Sequence, residues 1–298
     1  MKKVSMLSIL AIALFFTATN FLTAQSHNET YKDVEMLDIS TITGDIIIKK
    51  GSTNEVSAKG KWDDDQIRVK VDFDGTSLRI EEKKRGNNVD GHASTWTLMV
   101  PDGLDLEVNS GTGSLSIAGV EADLDANSGT GSISITDMEG RFDVNSGTGD
   151  LELENVKGKF DLNSGTGDVM VMNGEGKFDA NSGTGDVKFK KVQPTGHSTL
   201  NSGTGDVKFV IVGDIKGDLE LNSGTGYAVL DFDGQKIEGD FEMKCGIRSG
   251  RIVAPFKFDS ERQVGHNGNG HIEKSAKIGN ADFDVEISTG TGKAEVKS

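Results

Sequence analysis

A lone cysteine, Cys245, cannot form an intrachain disulfide, so this chain relies on its backbone ladders and core rather than on covalent staples. Proline is almost missing: only Pro101, Pro194 and Pro255 withhold a backbone N–H, which suits repeated strands. Helical periodicity is absent, since no segment keeps apolar residues at helical spacing for three turns. Beyond the first 24 residues no apolar run is long enough to cross a bilayer. There is no GxGxxG before a helix, no phosphate loop and no HExxH, which removes the usual signals for dinucleotide, phosphate and zinc-protease chemistry. Positive charge is scarce as well. Lys and Arg number 32 against 47 Asp and Glu, for a formal charge of −15. That balance favours solubility and disfavours nucleic acid or a bare anionic membrane as partner.

What the chain has in quantity is one pentad. NSGTG begins at Asn109, Asn127, Asn145, Asn163, Asn181, Asn201 and Asn222, at intervals of 18, then 20 and 21 residues. Looser copies start at Lys244 (KCGIR), His266 (HNGNG) and Ser288 (STGTG), where the period becomes 22. A fixed short period is the signature of stacked repeats. In the unit 145–162, Leu151 and Leu153 alternate with acidic residues, Gly158 punctuates, and Phe160 and Leu162 alternate again. This is the two-residue period of half-buried strands. Each unit holds too little apolar surface to fold alone, whereas stacking joins the Leu, Val and Phe columns into one core. The expected fold is therefore all-β: a single-chain β-solenoid (β-helix) of short coils of 18–22 residues, each strand pairing with its equivalent in the next rung. Phe142, Phe160 and Phe178, 18 residues apart, should form an offset ring column.

Within the pentad, Gly permits tight corners, and stacked Asn side chains can bond one another along the axis. If Val144 points inward, strict alternation sends Ser146 and Thr148 inward too, as a polar ladder that must be hydrogen-bonded. If the glycines turn the chain instead, the same hydroxyls face water. The alternation favours the inward arrangement.

Residues 1–24 read as a secretion signal: Lys2 and Lys3, an apolar run from Met6 to Phe16, and a cut near Ala24. Removing it takes the formal charge to −17, because only Lys2 and Lys3 are lost. No cysteine lies near the leader to carry a lipid, and the C-terminal residues show no sorting segment. Residues 25–103 are expected to form the irregular β N-terminal part or cap, with STITG at 40–44 a distant echo of the pentad and EEKKRGNN at 81–88 a charged connection. Residues 104–298 hold the regular rungs and their degenerate C-terminal successors. There the last strand is expected at an open edge, with Lys293 and Lys297 discouraging edge-to-edge pairing.

Candidate chemistry is thin. Asp150, Asp168, Asp186 and Asp206 follow successive pentads and should stand about 4.8 Å apart in a column. Calcium wants a cage of six to eight oxygens, and a solvated column is the simpler reading. Paired carboxylates in a groove would suit a carbohydrate-cleaving β-helix, yet acidic residues that recur in every rung point to architecture. His266 and His271 flank NGNG without further metal ligands. Cys245 lacks a partner base and reads as a small buried residue. Outward Ser110, Thr112 and their copies would make a hydroxyl array able to bind ice or polysaccharide. On these grounds no residue is assigned a catalytic, cofactor-binding or metal-binding role, and no cofactor is expected.

The repeated units NSGTGDLELENVKGKFDL, NSGTGDVMVMNGEGKFDA and NSGTGDVKFV, with the leader and the irregular strand region, resemble the bacterial DUF4097 family of adhesin-like proteins with β-strand repeats. They are also similar to the head-domain family of autotransporter adhesins. The likeness covers about 37–297. It implies export and a β-repeat fold, and supplies no catalytic residues. The resulting expectation is an exported, non-enzymatic structural, adhesin-like or binding surface of the cell envelope. It would work in the periplasm, at the outer surface or outside the cell, with a cell-surface protein or polysaccharide as partner and no stable membrane insertion of the mature chain. The alternatives are a secreted carbohydrate-active enzyme and the hydroxyl-array binder.

Overall fold

The computed structural model describes residues 24–86, 89, 91, 93–266 and 269–298. The secretion signal therefore lies outside the described residues apart from Ala24, as do two residues of the charged connection at 81–88. Among the described residues there is no helix, and all strands belong to one hydrogen-bonded network. Each regular rung supplies a long strand to one face and a short strand to the other. Glu121–Thr130 and Leu115–Ala118 show the two lengths, and both pair in parallel with Ile133–Thr148, which bends to serve both faces. Register is unbroken through the pentads: Asn127 pairs with Asn145, Asn145 with Asn163, and Asn163 with Asn181.

Between the faces the alternating apolar residues close into one core. Phe142, Phe160 and Phe178 stack with ring centroids 4.7 Å apart and planes within 7° of parallel. The aromatic column then changes face. Phe178 meets Phe189 edge-on at 5.0 Å, and Phe189 meets Phe209 at 5.4 Å. Where these rings enter from the short face, the long face carries the small, fully buried Ser198 in the place Phe178 held one rung earlier. Large opposite small keeps the core filled, as close packing demands.

Two corners turn each rung. At the first, Gly149 takes φ +155° and stacks so closely on Gly131 that a Cβ would stand 2.3 Å from its carbonyl oxygen. The second corner was not anticipated. Asp137, Asn155, Asn173 and Lys191, each in the left-handed region near φ +55°, form a column. Asn155 donates to Asp137 at 2.8 Å and Asn173 to Asn155 at 3.1 Å, using the tolerance of Asn and Asp for that region. Between the corners, Gly158 sits at φ +142°, where a Cβ would fall 1.8 Å from the Gly140 carbonyl oxygen. Gly158→Ala should therefore cost about 3 kcal/mol or more, combining backbone strain with overpacking. Chemical denaturation would check it, and a near-neutral result would refute the close stacking.

The stack departs from sequence order at both ends. Near the N-terminus, Met36–Thr41 and Gly44–Lys50 form a full rung that lies directly on Leu104–Thr112 and Leu115–Ala118. Ser40 pairs with Asn109, so the STITG echo is in register. The intervening chain returns to the outer side of this rung as Ser77–Lys84 and Ser94–Val100. Antiparallel strands Ile67–Phe73, Glu55–Asp63 and Ala24–Lys32 then finish that end.

At the other end two expectations are corrected. Asp284–Thr291 and Lys293–Lys297 are not an open edge. They lie between the rung of Leu219–Thr225 and Ala228–Asp231 and the rung of Gly239–Gly246 and Arg251–Val253. HNGNG does not open a rung either: Ser260–His266 and Asn269–Ile278 make an antiparallel hairpin whose second strand pairs with Gly239–Gly246. KCGIR does occupy the pentad position, with Lys244 beside Ser288. Both ends of the stack thus finish in antiparallel strands, with an earlier or later rung locked one layer inside.

Candidate binding surface

The pentad corner is where the polar residues gather. Alternation holds as far as Ser146, which is buried, and then breaks: Gly147 and Thr148 are both exposed. The expectation that both hydroxyls point inward is thus half corrected, because the turn begins one residue earlier than strict alternation assumes. Each inward serine has a partner in the neighbouring rung. Ser146 Oγ donates to the Gly131 carbonyl at 3.1 Å, Ser164 to Gly149 at 3.0 Å and Ser182 to Gly167 at 2.8 Å. The outward threonines form one column, not the double array that the hydroxyl-array alternative requires.

Beside them runs an amide ladder. Asn145 Nδ2 donates to Asn127 Oδ1 at 3.0 Å and Asn163 to Asn145 at 3.1 Å, and the ladder continues through Asn181, Asn201 and Asn222. The same amides also donate to carboxylates two residues back, Asp143, Asp161 and Asp179 among them. Asn109, Asn127, Asn145, Asn163 and Asn181, with Ser and Gly neighbours, line a shallow axial groove of about 730 Å³.

The aspartate column predicted from the sequence is present, and its role is now visible. Asp150 Oδ1 accepts the backbone N–H of Asp168 at 2.8 Å, Asp168 that of Asp186 at 2.7 Å, Asp186 that of Asp206 at 2.7 Å, and Asp206 that of Tyr227 at 2.8 Å. Each carboxylate satisfies a corner amide that the ladder leaves free. Burial pushes the Asp186 carboxyl upward, but the Lys188 ammonium and the Asp206 amide outweigh it and leave the pKa below its ordinary 3.8. Because the folded value is depressed, this stabilisation is present above pH 3.8 and is lost as pH falls through the lower folded value. Acid unfolding of Asp186→Asn, which keeps the acceptor and removes the charge, should show a shallower loss in that window. An unchanged acid limb would refute the assignment.

The remaining candidates do not converge. Cys245 is buried in the core, and burial raises its thiol pKa, with Lys274 opposing. His271 lies 3.6 Å from Glu273, which Arg262 holds through two contacts of 2.8 and 2.9 Å. The side chain of His266 lies outside the described residues. Among the described residues no group of three His, Cys, Asp or Glu is placed to hold a metal ion, and no helix is long and apolar enough to cross a membrane.

Two features escaped the sequence. Trp62 and Trp96 stack at 5.9 Å near the N-terminal end, with His27 beside Trp96 and Tyr31 edge-on to Phe73. Burial first, then Glu29, pushes the Tyr31 hydroxyl up to about 12. The second feature is a cleft of about 660 Å³ at the C-terminal rung crossing, with Ile215, Phe232 and Phe283 among Lys216, Lys236 and Glu238. Its cause is topological: the segment after Ala228–Asp231 skips a layer, so its turn does not cover the turn below.

A two-faced parallel β-stack with ladder-bonded corners and outward columns of charge defines a repeat scaffold of the β-solenoid class. The chain belongs to the Toastrack DUF4097 family, whose model matches residues 34–236. Among solved structures, it is similar to a "putative cell adhesion protein" from Clostridium sporogenes ATCC 15579, at 12% identity over 92% of this chain and 99% of that one, with a TM-score of 0.23. It is also similar to two proteins of Parabacteroides distasonis ATCC 8503. One is a "putative lipid binding protein" (13% identity, 91% and 96% covered, TM-score 0.43) and the other a "putative adhesin" (11%, 92% and 96%, TM-score 0.38). None of the curated proteins compared matches the chain.

Proposed function

We propose that this chain is an exported, non-enzymatic binding surface of the bacterial cell envelope that holds a cell-surface polysaccharide or protein through many equivalent contacts. The observation that carries the reading is the vertical register of outward charges on the long face. Asp125, Asp143, Asp161 and Asp179 form one column, and Arg141, Lys159 and Lys177 form its neighbour. A partner with its own repeat meets the same chemistry at each rung, so weak contacts add without a deep pocket. The best-defined polar groups at the corners are spent on backbone and ladder bonds, which supports display over chemistry.

The test is retention of the purified protein on outer membrane, peptidoglycan and surface glycans, with product analysis of the same samples. The triple variant Asp143→Asn, Asp161→Asn, Asp179→Asn keeps the acceptor oxygens that the asparagine ladder uses. It should therefore melt like the parent while losing on the order of a hundredfold in avidity. Undiminished retention would remove the charged columns from the reading. Fragments accumulating with time would replace it with a carbohydrate-cleaving one.

A further inference from the structure

The rung that comes last in sequence order is an interior layer of the stack. Its seat is a slot one strand wide, bounded on both faces by rungs formed from earlier residues. The occupant fills the slot with Val285, Ile287, Thr289, Ala294 and Val296, each no more than 4% exposed. Thr289 Oγ1 donates to the Gly226 carbonyl at 2.8 Å, and the Asp284 N–H to Asp218 Oδ1 at 2.9 Å.

The slot is selective. At its corner a Cβ on Gly290 would stand 2.5 Å from the Gly224 carbonyl oxygen, and one on Gly292 would stand 2.1 Å from that of Gly226. Only a strand with glycine at both of those alternate positions, preceded by alternating apolar residues and a small hydroxyl residue, seats without displacing backbone. That is the pentad pattern of this chain. The occupant reaches the slot through residues 279–283, which carry the chain from one side of Gly239–Gly246 to the other. This segment opens with Gly279 at φ +71°.

We propose that the 284–297 rung is exchangeable, and that the slot of one copy takes the rung of a second copy of this chain. Every strand pairing in the slot is the same in the closed monomer and in the exchanged pair. Only the path of residues 279–283 differs, which is the condition under which swapping costs little. This inference does not rest on the proposed function, since it concerns how copies join and not what they bind.

The experiment mixes two full-length variants, Asn222→Cys and Ser288→Cys, refolds them together and oxidises them. These residues are register partners, and Ser288 Oγ donates to Asn222 Oδ1. The control mixture pairs Ser288→Cys with Asn201→Cys, one rung further away. A covalent mixed dimer from the first mixture and none from the control is the expected result. No mixed dimer, or equal yields from both mixtures, would overturn the proposal. In a second measurement, deleting residues 280–282 shortens the connection and should roughly double the mass in solution. A variant that stays monomeric with the parent's melting profile would also overturn it.

Discussion

A chain cut after Phe283 should lose stable structure from about residue 232 onward, although residues 239–278 are still present. Gly239–Gly246 has the 284–291 strand as its parallel neighbour toward the body of the stack, and its other partner is the hairpin strand Asn269–Ile278. Without the inner rung, the outer rung and its hairpin face a gap one layer high. Their apolar side chains, Phe241 and Met243 among them, then lose the layer beneath. Losing four buried apolar side chains, Val285, Ile287, Ala294 and Val296, forfeits on the order of 6 kcal/mol before any coupled loss is counted. A rung stack built in sequence order predicts the opposite, with only the removed rung missing and everything before it intact. Limited proteolysis with mass spectrometry separates the two. Protection that ends near Asp231 is expected, and protection kept through Ile278 would show that the outer rung docks without its inner neighbour.

Replacing Phe160 with Asp should unfold the central rungs, whereas Asp168→Ser should be nearly silent. Phe160 is 2% exposed and lies between Phe142 and Phe178 at 4.7 Å on either side. Truncating such a ring costs about 3–5 kcal/mol, and placing a carboxylate there adds the cost of burying an unpaired charge. Asp168 is half-buried at the corner, and its structural task is to accept the Asp186 N–H. The chain itself shows that serine can serve there, since Ser132 Oγ stands 3.4 Å from the Asp150 amide one rung earlier in the same column. A loss within about 1 kcal/mol is therefore expected for the serine variant. Thermal unfolding of the two proteins checks the contrast, and comparable losses would contradict the inside and outside assigned to these columns.

The repeat made much of this readable. Leu151, Leu153, Phe160 and Leu162 alternate with charged residues, so their burial follows from local period alone. Register follows from the identical pentads. The asparagine ladder was legible for the same reason, because identical residues one period apart must meet. The aspartate column was legible as a column but not as a set of backbone acceptors. Its function depends on which corner amides the neighbouring rung leaves unpaired. The left-handed corner at Asp137, Asn155, Asn173 and Lys191 left a signal in its 18-residue spacing, though the change to Lys blurs the pattern.

Taken alone, the amino-acid order determined the stacking unit, the core columns and the corner chemistry, because each depends on contacts within one rung or between identical neighbours. Three matters were decided by tertiary structure: where the turn interrupts alternation, so that Ser146 faces in and Thr148 faces out; where the aromatic column changes face; and which rung lies beside which at the two ends. The last is the least local. STGTG fits equally well against any pentad-bearing strand, so period and pattern cannot choose its neighbour. The choice falls to the layer that buries the apolar faces on both sides, and that layer exists only once the whole stack is assembled.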